Sequence, residues 1–285
     1  MSARSVSLPG GAFFMGSDFS VEEGPVHEEW VEPFEIDVFA VTNAQFADFV
    51  TATRYLTVAE RPIDIPGADP VEPGSLVFTP TGGPVPLTDW RRWWNWVPGA
   101  NWRQPYGPSS SIEGRDDHPV VQVAFEDASA YAAWAGKRLP TEVEWEYAAR
   151  GGLDRATYAW GEETNAGAPF ANTWQGHFPY QNDGAHGWKG TSPVGSFPPN
   201  AYGLFDMTGN TWEWTTTSWS DRHADPATTC QCSPAAAAES ARRVLKGGSH
   251  LCAPEYCLRY RPAARSPQTE DSAATHVGFR CASSI

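Results

Sequence analysis

Long segments without helical or strand periodicity are the feature that most restricts the fold of this 285-residue chain. Residues 87–107 contain five tryptophans among prolines and glycines, and residues 171–188 are equally irregular. The chain has 26 glycines and 25 prolines, which end regular elements and favour turns. Loops of this length within a compact domain usually carry function or bind ions. The sequence therefore predicts one α+β domain over residues 1–285, low in regular secondary structure.

Three short helices are predicted from their capping signals. The first follows Thr42, which has a glutamine three residues later and apolar side chains on one face of the helix. The second covers residues 126–136, is rich in alanine and ends at a glycine. The third runs from the N-cap Thr141, with a glutamate three residues on, to Gly151.

Two stretches of alternating polar and apolar residues, 118–125 and 277–283, are predicted to be strands. The alanine-rich segment 233–243 is expected to be a surface loop, because it lacks the periodicity of a buried element. No repeat and no linker divides the chain, so the strands and helices are expected to share one core.

The charge balance excludes several classes of partner. The chain has 34 acidic and 20 basic residues, which gives a net charge of −14. Nucleic-acid-binding proteins neutralise phosphates with clustered basic residues, and no basic stripe is visible in this sequence. An anionic membrane surface is disfavoured for the same reason. A partner that carries Arg or Lys would be attracted, although the same charge also fits a protein that only needs solubility.

The compartment is inferred from apolar runs and cysteines. No stretch approaches the ~18 apolar residues of a membrane span. Residues 1–17 lack the apolar run of a signal peptide. The chain has five cysteines, an odd number that fits a reducing compartment better than a framework of disulfides. We therefore expect a cytoplasmic protein, and a monomer.

The pair Cys252 and Cys257 can be interpreted in several ways. Together with Cys230 and Cys232 it would make a four-thiolate zinc cage, although C-x-C is tighter than the usual C-x2-C spacing. A disulfide between the two residues is geometrically possible, but a reducing compartment opposes it. Two separate buried thiols are a further alternative.

Arginines follow the cysteine pair at positions 259, 261 and 265. Cationic neighbours lower the pKa of a thiol and favour the thiolate. Two thiolates without imidazole or carboxylate partners are soft ligands, which suit Cu(I) better than a hard ion. Alternatively, Arg259, Arg261 and Arg265 pair with the excess carboxylates and have a purely structural role.

Five segments resemble a known family. In chain order they are GKRLPTEVEWEYAARGG, ANTWQGHFPYQNDG, PPNAYGLFDMTGNTWEW, KGGSHLCAPEYCLRYRPAARS and GFRC. They are similar to the formylglycine-generating enzymes, also called sulfatase-modifying factors, and the likeness runs from near residue 8 to residue 281. The first and third segments occur across a wider superfamily, so the segment with both cysteines is the specific part.

The resemblance implies a fold of C-type-lectin-like character, with helices and strands in a single loop-rich domain. It also implies a reaction, the O2-dependent oxidation of the cysteine in a sulfatase C-x-P-x-R peptide to Cα-formylglycine with a thiol reductant. The partner would be a sulfatase polypeptide. The arginine of its motif suits the acidic charge of this chain.

By the same resemblance, Cys252 and Cys257 hold Cu(I), and the substrate thiolate joins them as a third sulfur ligand. Cu(I) supplies the single electron that triplet O2 needs to react with a closed-shell thiol. Ser249 matches a serine that hydrogen-bonds oxygen or substrate, and Trp212 matches a wall of the oxygen pocket. Without the resemblance, Ser249 is a turn residue and Trp212 a core aromatic.

Calcium sites are implied on two loops. The better match offers the carboxylates of Asp206 and Glu213 with main-chain oxygens of Gly209 and Thr211, all hard ligands on an irregular loop. The alternative is a set of polar loop residues that binds no ion.

The second calcium loop matches the family only in part. Asn172 and the carbonyls of Thr173 and Trp188 are the candidate ligands. His186 stands where the family often has aspartate, and an imidazole is a poor ligand for calcium. Asp183 is the candidate replacement for that aspartate.

The extra disulfide cysteines of vertebrate relatives are absent here. The matching positions are Ala132, Ala149 and Pro262, so Cys281 is expected to be a free thiol. Cys230 and Cys232 match no catalytic motif of the family.

Two other functions remain open. One is a sulfoxide synthase-like member of the superfamily that uses non-haem iron, which needs two or three converging histidines. The seven histidines show no paired helical spacing. The other is a non-catalytic, lectin-like binding protein, which would have no use for two thiolates beside arginines.

Overall fold

Regular elements in the structure are short. The computed structural model describes residues 4–63, 70–163, 169–223 and 241–285. In chain order the strands and helices are β1 (Ser5–Leu8), β2 (Gly11–Met15), β3 (His27–Val31), β4 (Phe34–Asp37), α1 (Asn43–Thr53), β5 (Gly74–Phe78), β6 (Trp94–Pro98), α2 (Phe125–Trp134), α3 (Glu142–Arg150), β7 (Trp212–Ser218), β8 (Arg242–Lys246), β9 (Arg265–Thr269), β10 (Val277–Gly278) and β11 (Ala282–Ser284). The predicted α+β fold, low in regular secondary structure, is confirmed.

The three predicted helices are all present. Thr42 and Thr141 are the N-caps of α1 and α3, and each accepts a hydrogen bond from the main-chain N–H three residues on. α2 begins at Phe125, one residue before the predicted start. α3 ends at Arg150 and is followed by the predicted C-cap Gly151, whose left-handed φ of 59° favours glycine. No helix in the described part of the chain is long and apolar enough to cross a membrane.

The strand predicted over residues 118–125 is wrong. The segment is buried, and its main-chain groups pair with separate loops instead of one neighbouring strand. The N–H of Val120 donates to the carbonyl of Val41, and that of Gln122 to the carbonyl of Ala274. Gln122 has a φ of 63°, which breaks an extended conformation. The alternating pattern therefore reflects burial between loops, not a ladder.

The strand predicted over residues 277–283 is present at both ends only. β10 pairs in parallel with β7, and β11 pairs antiparallel with β4. Between them, the carbonyl of Phe279 accepts a hydrogen bond from the N–H of Val41 in a loop. One extended segment thus joins two sheets.

The four-stranded sheet, in the order β10-β7-β8-β9, positions the cysteine segment. β7 begins at Trp212, and β8 ends at Lys246, immediately before a pair of glycines. Gly247 and Gly248 have φ values of 96° and 70°. A side chain at Gly248 would come within 2.8 Å of the carbonyl oxygen of Arg259. The turn therefore requires glycine, and it directs the chain from the sheet into the cysteine segment.

A buried network of charges lies between α3 and this sheet. Glu146 contacts Lys246 at 2.9 Å and Arg150 at 2.7 Å, while Arg265 contacts Glu142 at 2.8 Å. These side chains are at most 4% exposed. Burial alone would raise the pKa of Glu146, but the charges of Lys246 and Arg150 outweigh it and hold that pKa at about 2. Glu146 is therefore ionised in the folded protein at neutral pH.

Candidate active site

The structure brings Cys252 and Cys257 together. Their Sγ atoms are 3.0 Å apart, and both residues are free thiols. A tight turn closes between them, because the N–H of Cys257 donates to the carbonyl of Ala253 at 2.7 Å. The N–H of Ser249 donates to the sulfur of Cys252 at 3.4 Å. The alternative of two separate thiols is therefore wrong, and in this structure the pair is not a disulfide.

A cavity of about 140 Å³ has the two sulfurs in its wall. Its lining is mostly aromatic. The lining residues are Phe78, Trp93, Trp94, Phe178, Trp212, Ser249, Leu251, Cys252, Tyr256, Cys257, Arg259, Ser266 and His276. Such a volume holds about one small side chain, since a liquid water occupies about 30 Å³. The cavity can therefore receive a single residue of a larger partner.

The two thiols differ in acidity. Burial raises the pKa of Cys252 well above its ordinary value, and the contact with Cys257 raises it further. The hydrogen bond with Cys252 lowers the pKa of Cys257 against the effect of burial, and the charge of Arg259 adds to this lowering. Cys257 therefore ionises first, with the Cys252 thiol as its hydrogen-bond donor.

The three arginines after the cysteines do not act alike. Arg261 pairs with Glu23 at 2.6 Å, and Arg265 pairs with Glu142, so both have the structural role that was the alternative. Arg259 lines the cavity and donates to Ser266. Arg259 is thus the main cation that lowers the pKa of Cys257, and Arg261 adds a smaller lowering although it is paired with Glu23.

Ser249 and Trp212 both lie in the cavity wall. Ser249 is fully buried, and its Oγ accepts a hydrogen bond from the N–H of Leu251 at 3.2 Å. It therefore shapes the turn and also faces the cavity. Trp212 is 4% exposed and belongs to the main hydrophobic cluster together with Cys252. Trp212 is therefore both a core residue and part of the cavity wall.

The described residues were also searched for the zinc and iron sites considered above. Among them no group of three or more His, Cys, Asp or Glu side chains is placed to hold a metal ion. All seven histidines belong to the described ranges, and no three of them converge there as metal ligands. Cys230 and Cys232 lie outside the described residues. Cys281 is a free, buried thiol, as expected.

The loop with Asp206 and Glu213 contains a buried ion pair. Both oxygens of Glu213 accept hydrogen bonds from Arg280, and Trp145 donates to one of them. Burial raises the pKa of Asp206 to about 6. A cation beside Asp206 would offset the cost of its buried charge. Asp206 accepts a hydrogen bond from the N–H of Gly195 at 2.7 Å, and Glu213 is already paired with Arg280.

The second loop offers one strong indication of a cation ligand. Oδ1 of Asn172 is buried and has no hydrogen-bond partner among the described residues, while its Nδ2 donates to the carbonyl of Gly190 at 2.9 Å. An unpaired buried oxygen of this kind suits a hard cation. Asp183 is exposed and makes no hydrogen bond to Asn172 within the described ranges.

The remaining residues of this loop fit less well. The carbonyl of Thr173 accepts a hydrogen bond from Gln175 at 3.3 Å, and Trp188 packs against the ring of His118. His186 is exposed, with its ring against Phe197. Among the side-chain oxygens of this loop that the structure describes, only Oδ1 of Asn172 is buried without a hydrogen-bond partner.

Sequence reasoning missed most of the cavity wall. Tyr256 lies between the two cysteines and its ring stacks on Phe178, with centroids 4.5 Å apart. Its position in the cysteine segment was a usable signal. Phe78, Trp94 and His276 come from distant parts of the chain, and no local pattern marked them.

Comparison with known proteins agrees with the site. The family described as "Sulfatase-modifying factor enzyme 1-like domain" matches residues 1–285. A formylglycine-generating enzyme of Mycobacterium tuberculosis is 60% identical, covering 99% of this chain and 98% of that protein. One from Thermomonospora curvata is 50% identical, covering 97% and 92%.

More distant relatives show that the family also includes a protein named as inactive. The mouse protein named "Inactive C-alpha-formylglycine-generating enzyme 2" is 41% identical over 98% of this chain and 85% of its own. Family membership alone therefore does not decide activity. Among solved structures, PvdO from Pseudomonas aeruginosa has a TM-score of 0.66 with 26% identity, covering 99% of this chain and 94% of that one. On this evidence, the chain belongs to the sulfatase-modifying factor family, whose formylglycine-generating members it matches over nearly its full length.

Proposed function

We propose that this protein oxidises the cysteine of a sulfatase C-x-P-x-R segment to Cα-formylglycine. The observation that carries the proposal is the thiol pair, with sulfurs 3.0 Å apart, in the wall of a cavity sized for one side chain. A lectin-like binding protein would have no use for such a pair. The relatives that are 60% and 50% identical are named for this activity.

The residues of the cavity have separable tasks. Cys257 provides the more acidic sulfur, and Cys252 donates to it from the core side. Trp212 and the other aromatic rings exclude water from the sulfurs, which strengthens electrostatic contacts there. We infer that only the cysteine side chain of the sulfatase segment, called the client segment below, enters the cavity. The rest of the client segment stays at the opening of the cavity.

Copper fits the donor set of this site. Two sulfurs in contact within an aromatic wall are soft ligands, and no imidazole or carboxylate of the described residues joins them. Cys252 and Cys257 would hold Cu(I), which supplies one-electron chemistry toward O2 when bound. We propose O2 as the oxidant and a thiol as the reductant.

Mass spectrometry of a synthetic peptide tests the proposed function. The purified protein is incubated with Cu(I), O2, a thiol reductant and a C-x-P-x-R peptide. The peptide mass should fall by the difference between cysteine and formylglycine. A peptide with serine in place of cysteine is the control and should keep its mass. An unchanged cysteine peptide with copper-loaded protein contradicts the proposal.

Copper binding gives a separate prediction. Cys252→Ala and Cys257→Ala should each remove the Cu(I) site, because a single thiolate is a poor chelate. Titration against a competing Cu(I) chelator measures the affinity. The double variant Cys230→Ser, Cys232→Ser is the matched control and should bind copper and stay folded. Loss of both properties in that control would indicate a four-cysteine structural cage instead.

Calcium removal should lower the melting temperature. We propose that calcium binds Asp206 and main-chain oxygens of Gly209 and Thr211, and that a second ion uses Asn172. An ion that binds only the folded state stabilises it by about 2.7 kcal/mol at 100 times its Kd. Calorimetry with EGTA and then with added calcium measures the shift. Asp206→Asn should abolish most of it, whereas an EGTA scan identical to the calcium scan argues against both sites.

A further inference from the structure

One polar side chain in the cavity wall has no task in the proposed function. His276 lies immediately before β10, and its ring packs on that of Trp94, with centroids 4.6 Å apart. Its main-chain carbonyl accepts a hydrogen bond from the N–H of Trp212 at 2.8 Å. The main chain of His276 is therefore held by Trp212, and its ring is oriented by Trp94.

The ring nitrogens of His276 have different surroundings. Nδ1 is buried and has no hydrogen-bond partner among the described residues. Burial lowers the pKa of His276 to about 3, so the ring is neutral and carries a single N–H. Buried N–H groups without partners are rarer in proteins than unpaired acceptors. The proton therefore belongs on Nε2, with Nδ1 as the bare acceptor.

Two other polar side chains of the wall have hydrogen-bond partners, whereas Nε2 of His276 and the indole N–H of Trp93 have none among the described residues. Ser266 accepts a hydrogen bond from Arg259, which also contacts Glu22. Ser249 accepts from the N–H of Leu251. His276 is thus a wall donor that the protein itself does not use. A strong acceptor supplied by whatever enters the cavity would satisfy it.

We propose that Nε2 of His276 donates a hydrogen bond to a main-chain carbonyl of the client segment and so fixes the direction in which that segment enters. The inference rests on the proposed function. A carbonyl is a stronger acceptor than a thiol sulfur, and every extended peptide carries carbonyls beside its side chains. Because the cavity holds about one small side chain, the flanking main chain must pass close to its wall.

Equilibrium binding tests this role without turnover. The probe is a C-x-P-x-R peptide with alanine in place of cysteine, and the signal is fluorescence of the cavity tryptophans. His276→Leu should weaken binding about 3- to 10-fold, the effect of one hydrogen bond. His276→Gln, which keeps a donor, should recover most of the affinity. His177→Leu changes an exposed histidine and should bind as wild type.

A second measurement identifies the atom that is contacted. In a set of probe peptides, one amide at a time is replaced by an ester, which weakens the carbonyl as an acceptor. One such ester should weaken binding to wild type but not to His276→Leu, as a double-mutant cycle requires for a direct contact. If His276→Leu melts early, His276→Met replaces it in the cycle.

The outcomes separate the two proposals. Equal binding of the alanine peptide by wild type and His276→Leu overturns the inference and leaves the proposed function intact. A loss seen only with cysteine-containing peptide means a contact to the thiol and also overturns it. Failure of wild type to convert the cysteine peptide is instead a failure of the proposed function.

Discussion

Cys252→Ala and Cys257→Ala should each abolish peptide conversion in a protein that stays folded. The expected rate loss is at least about 10³-fold, and the double variant should lose no more than either single variant, because residues that act as a unit are not additive. Conversion is followed by peptide mass, and folding by circular dichroism and thermal melting.

Cys281→Ala is the matched control. Cys281 is also a free, fully buried thiol, but it does not line the cavity. Its replacement should cost stability on the order of 1 kcal/mol, as removal of a small buried group does, and leave conversion unchanged. Equal activity losses in the variants of Cys252 and Cys281 would show a general effect on the core, not a reactive pair.

Glu146→Gln should be the most destabilising single change in the buried charge network. It leaves the ammonium of Lys246 and the guanidinium of Arg150 without their shared carboxylate, and breaking a buried ion pair costs about 3–5 kcal/mol. For a chain of this size the melting temperature should fall by roughly 10 °C. Glu126→Gln removes an exposed pair with Arg61 and should cost at most about 1 kcal/mol.

The difference in unfolding free energy between wild type and Glu146→Gln should change with pH in a defined direction. The pKa of Glu146 is about 2 in the folded protein, against an ordinary value of 4.5. Its contribution is therefore complete above pH 4.5 and is lost as the pH falls toward 2. Urea unfolding should show the gap between wild type and Glu146→Gln narrowing below pH 4.5. A gap that is constant from pH 7 to about pH 3 would contradict the ion-pair explanation.

The contribution of Glu142 to stability has the opposite pH dependence. Burial raises its pKa, although Lys246 and Arg265 oppose the shift. Its contribution is therefore present below pH 4.5 and is lost as the pH rises through the folded pKa. Glu146→Gln also removes one of the charges that raise the pKa of Glu142, so part of the measured pH dependence reports the response of Glu142.

Local signals in the sequence were reliable, and long-range partners were not. The caps at Thr42 and Thr141 act within three residues, so the sequence contains everything that the helix ends need. The tight turn after Cys252 is equally local. In contrast, the carboxylate that binds Arg261 is 238 positions away, at Glu23. The tertiary fold decides such pairs, and one sequence without its fold cannot identify them.

The error over residues 118–125 has the same origin. Alternating apolar residues indicate that one face of a segment is buried, but not which groups will accept its main-chain hydrogen bonds. Here two loops, at Val41 and Ala274, provide those acceptors. His276 was overlooked for a related reason, since only the tertiary structure places it in the same cavity wall as Cys252.

The location of Cys252 within the main hydrophobic cluster also limits how long one molecule can work. A sulfur that is overoxidised to a sulfinate cannot be restored by ordinary thiols. At this position it would place a charge among Trp212, Phe279 and Val277, where unpaired charge is strongly unfavourable. Chemical damage to the reactive group and unfolding of the domain therefore become one event. Protein molecules with an overoxidised Cys252 would lose their structure together with their activity. They would then be degraded by proteases instead of persisting as intact, inactive protein.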